Sequence, residues 1–479
     1  MRHPYPFRLL AIASASALLL TACGGSDDDV VAVPEETRAQ DSRNAFVPAE
    51  PTATTFAAMA NGSVETDGTS RWAGVLNGAA YRVEVPANWN GKLVMYAHGY
   101  AGTGNALGVN NPSIRRHLLM SGYAWAASSY SKNYYDVRVG VEDTNALALA
   151  FTNIAAANSR PLPAPTKLYI IGHSMGGHIA GAAVEDETFA TARNKVRYHG
   201  AVPMCGVMGD TELFDYLGAA QITAQALAGK AQTPIAEWAT IKDEVTAALF
   251  TTFSSVPTAT GLKYRSVMQN LSGGPRPLFD VGFAGAYTGV VWGTFGGDGT
   301  VNGIFNKPAV DTNRFVYKID GDTAGSDALN AAALKLTAAP DFNRLRTDGL
   351  RWVPKVNGEF KVPVVTLHTL GDMYVPFSMQ QIYRARTEAK GNGNWLVQRA
   401  IRGAAHCDFT IQEQVDAFEA MVTWETSGTK PAGDDVMTPA TVAAPTYGCT
   451  FTRNAPTVDD SAAIAQARVQ LNAIAPCVQ

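Results

Sequence analysis

A serine placed between glycines is the feature of this sequence that most strongly suggests chemistry. The motif Gly-His-Ser-Met-Gly spans residues 172 to 176 and follows an apolar run, residues 167 to 171. A nucleophilic serine at a sharp strand-to-helix turn has strained backbone geometry, and only small residues two positions before and after it avoid a clash. An Ala- and Gly-rich stretch follows, as the helix requires. The pattern predicts that Ser174 is a nucleophile rather than part of a glycine-rich packing turn.

A serine hydroxyl needs a general base, and the chain has eight histidines. His3 belongs to a predicted leader, and His368 falls inside a predicted strand. Five others lie before the acidic residues in the later part of the chain, so none of them can follow an orienting acid. His406 lies in a Gly/Ala-rich loop, residues 402 to 409, directly before the last long predicted helix. A serine turn of this kind is followed along the chain by an acid and then by a histidine. His406 is therefore the predicted base.

Asp372 is the predicted acid that orients this histidine. It follows a predicted strand, residues 362 to 367, and so stands at a carboxyl end, where open α/β sheets place their chemistry. Its role is to hold the imidazole tautomer and to stabilise the imidazolium. A solvated loop aspartate is the alternative, with Asp298 or Asp320 as weaker candidate acids; Asp408 is too near His406 along the chain to orient it easily.

The oxyanion of a tetrahedral intermediate needs backbone N–H donors. The loop His-Gly-Tyr-Ala-Gly, residues 98 to 102, follows a predicted strand, residues 92 to 97. The amide of Tyr100 can then pair with the amide of Met175, the residue after the nucleophile. These two residues are the predicted oxyanion hole.

Strands alternate with helices along the chain. The turn signal at residues 86–91 suggests that the first two strands form a hairpin. Alternation of strands and helices predicts an α/β fold with a mainly parallel sheet flanked by helices. About 150 residues separate the predicted strands at 198–204 and 362–367, far more than a crossover needs, so residues 209–355 are predicted to be a large cap inserted between these strands, which would be strands 6 and 7 of the complete sheet. Strands are predicted at residues 81–85, 92–97, 122–128, 167–171, 198–204 and 362–367, and helices at 141–156, from about 176, at 379–387 and at 411–424.

The N-terminus has the composition of a targeting segment. Arg2 and Arg8 precede an apolar run, residues 9–20, that is too short to span a bilayer. Leu-Thr-Ala-Cys, ending at Cys23, resembles the lipobox of bacterial lipoproteins, in which Cys23 would be lipidated after removal of residues 1–22. Residues 23–60 contain few large apolar groups and are predicted to be a flexible tether. We expect a lipid-anchored protein of the bacterial cell envelope, with ordinary secretion as the alternative.

Four further cysteines are Cys205, Cys407, Cys449 and Cys477. An even number in an exported protein predicts disulfides, of which three pairings are possible. Cys449 and Cys477 share a C-terminal segment, which favours a local bridge and leaves the other two to pair, although the order along the chain establishes neither. Four free buried thiols are the alternative.

Composition argues against several classes of partner. The chain has 38 basic and 42 acidic residues, a formal charge of −4, and no basic block, so it lacks the electrostatic pattern of a nucleic-acid binder. Without residues 1–22 the balance is 36 to 42, a charge of −6. His173 and His178 lack the spacing and the glutamate of a zinc helix motif, and the stretch 320–331 lacks calcium-loop ligands. No metal is expected, and the serine chemistry needs no cofactor.

The four motifs, in this order, resemble those of an α/β-hydrolase fold serine hydrolase of the esterase and lipase type. The resemblance implies a triad of Ser174, Asp372 and His406, the oxyanion amides named above, and a lid formed by residues 209–355. The core would comprise residues 61–208 and 356–428, followed by a disulfide-stapled tail, residues 429–479. Cys407 is similar in position to a cysteine of tannase and feruloyl esterase relatives that is bridged to a cysteine next to the serine. Here His173 occupies the place before the serine.

The expected activity is hydrolysis of a small or polymeric carboxylic ester through an acyl-enzyme. An amidase or peptidase would use the same triad and is the second expectation. A non-catalytic surface binding protein that kept the fold is the third.

Overall fold

The computed structural model describes residues 35–38, 41, 45–295 and 304–477, and its framework is a sheet of eight strands. The order across the sheet is β1-β2-β4-β3-β5-β6-β7-β8. Neighbouring strands are parallel except in the two pairs that include β2. This is the α/β-hydrolase fold, as the sequence predicts. The strands are β1 (Ser70–Leu76), β2 (Ala79–Val85), β3 (Lys92–Ala97), β4 (Ala124–Ser128), β5 (Lys167–His173), β6 (Gly200–Met204), β7 (Val364–Thr369) and β8 (Leu396–Ile401).

Helices connect and cover the strands. The longer ones are α1 (Val137–Ala157), α2 (Met175–Ala183), α3 (Glu212–Leu227), α4 (Trp238–Leu249), α5 (Ala259–Leu271), α6 (Ala286–Thr294), α7 (Thr323–Ala332), α8 (Ser378–Ala389), α9 (Ile411–Ser427) and α10 (Ala462–Ile474). Shorter helices are Val64–Asp67, Arg115–Met120, Asp186–Thr191, Phe279–Phe283 and Pro439–Val442, with single 3₁₀ turns at Ile235–Glu237 and Gly393–Trp395. Two small ladders pair Val47–Pro48 with Ala106–Leu107 and Phe250–Thr252 with Val256–Pro257. None of the described helices is both long and apolar enough to cross a lipid bilayer.

Alternate side chains of each strand enter opposite apolar layers, as the two-residue period of a strand requires. Leu93 and Met95 of β3 belong to one core with residues of α1, α2 and α8. Val94 and Tyr96 of the same strand belong to a second core with residues of α9. All residues of β4, β6, β7 and β8 are buried. The sheet is therefore covered on both faces, so a substrate can approach it only at the ends of the strands.

Helices α3 to α7 lie between β6 and β7, the position predicted for the insertion. Its aromatic side chains pack against one another: the ring of Trp238 is 4.9 Å from that of Trp292 and 5.2 Å from that of Phe295. Phe279 and Phe283 are also buried. These rings form the insertion's own core. Insertion and sheet belong to one compact unit, Thr37–Gln479, and the other unit, Met1–Glu36, is described only at its last two residues.

The predicted hairpin between residues 81–85 and 92–97 is wrong. β2 pairs with β1 and β4, whereas β3 pairs with β4 and β5. The hairpin of this region joins β1 to β2 through Asn77 and Gly78, whose φ values are 52° and 87°. Asn-Gly is the favoured pair for such a two-residue turn because both residues tolerate positive φ. The turn signal of the real hairpin, Asn77-Gly78, thus lies nine residues before the turn at residues 86–91 on which the prediction was based.

The described residues between Thr37 and residue 60 differ from the predicted flexible tether. Arg38 is 2% exposed, and its Nη2 donates to the buried carboxylate of Asp136 at 2.9 Å. Phe56 is buried, with its ring 5.6 Å from that of Trp125. A charged pair and one aromatic ring thus attach a segment that is otherwise poor in apolar residues. The predicted signal peptide and Cys23 lie outside the described residues.

Candidate active site

The turn at Ser174 has the strained geometry that the glycine motif predicts. Ser174 lies between β5 and α2 with φ 56° and ψ −119°, and its N–H donates to the carbonyl of Met204 at 3.0 Å. A Cβ on Gly172 would lie 2.1 Å from the carbonyl oxygen of Gly176, and a Cβ on Gly176 would lie 2.0 Å from that of Ala97. Both distances are far inside van der Waals contact, so the close approach of strand and helix requires glycine at both positions.

Asp372 and His406 lie in line with Ser174. Nε2 of His406 is 2.8 Å from Oγ of Ser174, and Nδ1 is 2.6 Å from Oδ2 of Asp372. The three residues follow β5, β7 and β8, whose carboxyl ends meet at one edge of the sheet. When Nδ1 donates to the carboxylate, Nε2 is the acceptor that faces the serine hydroxyl. The structure thus brings together the three residues that the sequence singles out.

Asp372 is buried and held in one orientation. Its side chain is 0% exposed, and Oδ1 accepts the backbone N–H groups of Tyr374 and Val375, each at 3.0 Å. These two bonds leave Oδ2 facing the imidazole. Of the weaker candidate acids, Asp320 accepts hydrogen bonds within the insertion, and Asp298 lies outside the described residues.

The backbone predicted to form the oxyanion hole borders Ser174. Met175 is the first residue of α2, so its N–H has no acceptor within the helix. A Cβ on Gly99 would lie 3.3 Å from the Cβ of Ser174, which places the loop after β3 directly against the serine. Tyr100 follows in this loop with 36% of its surface exposed. Partial burial raises the pKa of its phenol to about 12, so the side chain is neutral at physiological pH.

His98 anchors the loop that carries Tyr100. Its ring stacks on that of Tyr130 with centroids 4.1 Å apart, and the Tyr130 hydroxyl donates to the His98 carbonyl at 2.9 Å. Burial lowers the pKa of His98, which favours the neutral imidazole. These contacts fix the start of the loop to Tyr130, two residues beyond β4.

Two disulfides are present, Cys205–Cys407 and Cys449–Cys477. This is the pairing in which the two C-terminal cysteines form a local bridge. Cys205 follows β6 and Cys407 follows His406, and both have positive φ, 45° and 58°. Non-glycine residues rarely adopt this left-handed conformation. The first bridge ties residues 402–408, which we call the histidine loop, to the carboxyl end of β6.

One group of described residues brings three potential metal ligands together: Cys205, His406 and Cys407. The two sulfurs are joined in the disulfide, and a metal ligand needs the free thiolate. In this state the group does not offer a metal its sulfur donors.

The two histidines on either side of Ser174, His173 and His178, face different partners. Nε2 of His173 is 3.0 Å from the Gln414 side-chain oxygen, and Nε2 of His178 is 2.7 Å from the Pro354 carbonyl. Burial lowers the pKa of His173 to about 4, so its ring is neutral. Both histidines join secondary-structure elements and do not converge on a common site.

Two further residues at the site were missed from the sequence. The ring of Tyr374 lies edge-on to that of His406 with centroids 5.6 Å apart. Arg276 of the insertion is 6% exposed and donates through Nε to the carbonyl of Leu370 at 2.6 Å, two residues before Asp372. Tyr374 was detectable as a close neighbour of the predicted acid. No sequence pattern indicated Arg276, because its contact with the loop before Asp372 depends on how the insertion packs against the sheet.

No family model matches the chain. One relative, o-phthalyl amidase from Xanthobacter agilis, is 31% identical over 77 residues, which cover 16% of this chain and 17% of that protein. Feruloyl esterase B from Aspergillus oryzae is a similar solved structure, with 15% identity and a TM-score of 0.44 over 76% of this chain and 82% of its own. Candida antarctica lipase A in its closed state has 16% identity and a TM-score of 0.36 over 85% and 86%. The fold assignment rests on the order and direction of the strands within this chain.

Proposed function

We propose that this protein is a serine hydrolase that cleaves carboxylic esters through an acyl-enzyme. The observation that carries the proposal is the unbroken hydrogen-bonded line from Ser174 through His406 to Asp372, with distances of 2.8 and 2.6 Å. A serine hydroxyl is a weak nucleophile unless an oriented base removes its proton. The strained turn at φ 56° presents that hydroxyl at the edge of the sheet, where a substrate carbonyl can approach.

In the first half-reaction Oγ of Ser174 attacks the ester carbonyl while Nε2 of His406 takes the hydroxyl proton. The tetrahedral intermediate then collapses, and His406 returns this proton to the departing alcohol. In the second half-reaction a water molecule loses a proton to His406 and attacks the acyl group. Collapse releases the acid and restores the proton to Ser174. Asp372 stabilises the imidazolium formed in each half-reaction.

Negative charge on the carbonyl oxygen develops beside the N-terminus of α2. The free N–H of Met175 and the positive end of the helix dipole favour an anion at this point. The amide of Tyr100 is proposed as the second donor, since Gly99 packs against the serine. Two donors fixed in the backbone stabilise the intermediate without reorganisation during the reaction.

Amide hydrolysis is the second candidate function. The same three residues cleave amides when His406 protonates the departing nitrogen. The specific observation in its favour is the 31% identity over 77 residues with a protein named o-phthalyl amidase. The two functions differ in the leaving group, so matched ester and anilide substrates separate them.

We also propose that the protein is held in the bacterial cell envelope by lipid on Cys23. The basic residues, the short apolar run and the Leu-Thr-Ala-Cys sequence support this location, and two disulfides suit an oxidising compartment. Replacing Cys23 by serine should move the protein from the membrane fraction to the soluble fraction and abolish incorporation of labelled palmitate. Continued membrane recovery of the variant would contradict the lipid anchor.

The activity is tested with p-nitrophenyl acetate, butyrate, octanoate and palmitate beside the matched anilides. Turnover should peak at one acyl length, and Ser174→Ala should lower kcat by at least about 10⁴-fold. Ser427→Ala replaces an exposed serine at the end of α9 and is the control that should leave kcat unchanged.

A fluorophosphonate probe provides the second test, because it reacts only with an activated serine. Mass spectrometry should locate the label on Ser174. Labelling of another serine would overturn the assignment of the nucleophile. Turnover of anilides alone would favour the amidase, and a folded protein with neither turnover nor labelling would favour a non-catalytic binding protein.

A further inference from the structure

One arginine of the C-terminal tail lies in the protein core. In α10, which has 13 residues, only Arg468 and Leu471 are buried, and the Arg468 side chain is 0% exposed. A buried charge is costly unless it is paired and hydrogen-bonded. The position of this guanidinium therefore depends on the groups that surround it.

The guanidinium of Arg468 contacts both ends of the histidine loop. Nη1 donates to the carbonyl of Arg402 at 2.6 Å, and Nη2 donates to the carbonyl of Asp408 at 2.5 Å. Arg402 follows β8 directly, and Asp408 is two residues beyond His406. Since the guanidinium is planar and rigid, its two nitrogens set the separation of these carbonyls.

A buried carboxylate holds the guanidinium in place. Nη2 of Arg468 is 2.8 Å from Oε2 of Glu413, whose side chain is also 0% exposed. The same oxygen accepts the N–H of Thr410 at 2.8 Å, and Oε1 accepts that of Arg453 at 2.8 Å. Glu413 belongs to the first turn of α9, so the pair connects the histidine loop to the start of that helix.

The middle of the histidine loop is held by other groups. Thr369 donates to the carbonyl of Ala405 at 2.8 Å, and the disulfide from Cys205 reaches Cys407. No contact of these groups fixes the carbonyls of residues 402 and 408. Within the loop the Asp408 carboxylate accepts the N–H of Ala404 at 3.2 Å. Among the described residues outside the loop, Arg468 contacts the carbonyls of both its ends.

The tail itself is fixed so that α10 stays in register with the loop. The Arg402 side chain donates to the carbonyls of Tyr447 at 2.9 Å and Ala475 at 2.8 Å. The second disulfide, Cys449–Cys477, joins the two ends of the same stretch. Contacts thus run in both directions. Arg468 of the tail binds backbone carbonyls of the histidine loop, and Arg402 of the loop binds backbone carbonyls of the tail.

We propose that Arg468 is a positioning residue for His406, and that the C-terminal tail is in this way part of the catalytic apparatus. By holding the loop ends, the guanidinium keeps Nε2 of His406 at hydrogen-bond distance from Ser174. The inference rests on the proposed serine hydrolase function. It assigns a catalytic consequence to a segment that contributes no residue to the line of hydrogen bonds.

The test compares Arg468→Met and Arg468→Lys with the unchanged protein. The apolar methionine keeps volume but loses both carbonyl bonds, and kcat per folded molecule should fall about 10- to 100-fold, as expected for a small displacement of a catalytic group. KM should stay within about twofold, because substrate contacts are not removed. Lysine restores a charge and one donor site but not the planar fork, so an intermediate kcat is expected.

Two controls separate positioning from loss of stability. Arg115→Met breaks another buried arginine pair, with Glu84 at 2.6 Å, that lies away from the histidine loop. Glu413→Gln combined with Arg468→Met removes the unpaired carboxylate that the single variant leaves in the core. Folded protein is quantified by near-ultraviolet circular dichroism. We expect full kcat per folded molecule in Arg115→Met and a low kcat in the double variant.

The outcomes distinguish failure of this inference from failure of the proposed function. If the unchanged protein hydrolyses esters and Arg468→Met has a kcat per folded molecule within twofold of it, the positioning role is wrong. An equal loss in Arg115→Met would also overturn it, because the effect would then follow general destabilisation. If the unchanged protein shows neither turnover nor labelling at Ser174, the proposed function itself is wrong.

Discussion

Replacing Asp372 by asparagine tests the orientation of the proposed base most directly. Oδ1 of Asp372 accepts two backbone N–H groups, from Tyr374 and Val375, each at 3.0 Å. The asparagine must therefore place its amide oxygen there, because its NH₂ group would face two donors. The NH₂ group then points to Nδ1 of His406 and binds only the tautomer that carries its proton on Nε2. That tautomer cannot accept the proton of Ser174.

The expected loss follows from two effects. Attraction between unit charges about 4 Å apart is about 4 kcal/mol at an effective dielectric constant near 20, and this stabilisation of the imidazolium disappears. Restoring the reactive tautomer sets two donors against each other in a buried site, which costs about 1–3 kcal/mol. Together they correspond to a fall in kcat of about 10⁴-fold, since each factor of ten is about 1.4 kcal/mol.

The assay is kcat and KM on a p-nitrophenyl ester for Asp372→Asn and for a matched control. Asp435→Asn is that control, because Oδ1 of this exposed carboxylate also accepts N–H groups two and three residues ahead, at 2.8 and 3.0 Å. We expect the control to retain its kcat and both variants to remain folded. A kcat of Asp372→Asn within tenfold of the unchanged protein would refute the reasoning, and a different acid would have to orient the histidine.

Three further perturbations have defined outcomes. Replacing Cys205 and Cys407 by alanine removes a bridge across 202 residues; the chain-entropy model predicts a loss of about 5 kcal/mol in the free energy of unfolding, and an unchanged urea midpoint would contradict it. Gly176→Ala should abolish folding or turnover because its Cβ would lie 2.0 Å from a backbone oxygen, whereas Gly108→Ala, with no atom within 4 Å, should preserve both. Burial raises the pKa of Glu185 from 4.5 to about 8, so the folded state keeps a proton that the unfolded chain releases; the free energy of unfolding should fall by a few kcal/mol between pH 5 and 8, and Glu185→Gln should flatten this slope in thermal unfolding.

Some of the site is encoded locally and was predictable from the sequence. The glycines around Ser174 are needed because strand and helix meet at van der Waals distance, and this requirement is written in a few adjacent residues. The alternation of apolar strands and helices likewise predicts a parallel sheet, and the carboxyl ends of such strands meet at one edge. Ser174 and Asp372 could be chosen in this way, since each comes after a predicted strand, whereas His406 was chosen by elimination among the histidines and by its loop before the last long helix.

The errors arose where pairing depends on more than one local signal. Residues 81–85 and 92–97 both have strand patterns and a turn between them, but β4 and β5 compete for the edges of β3 and exclude the hairpin. The segment from Thr37 to residue 60 looks like a tether by composition. Its described residue Arg38 is nevertheless anchored, because it pairs with a buried carboxylate, Asp136, that is distant along the chain.

The type of fold and the residues with suitable chemistry were predictable, because both follow from short-range patterns of size and polarity. How those residues are held became visible with the packing of the folded chain. Arg276 and Arg468 reach the loops of Asp372 and His406 from an insertion and from the tail. Such contacts join residues far apart in the chain. Their acceptors are backbone carbonyls, which every residue has, so the residue type does not show which carbonyl will accept an arginine. The residues that could react can therefore be predicted from the sequence, whereas the groups that position them depend on long-range packing.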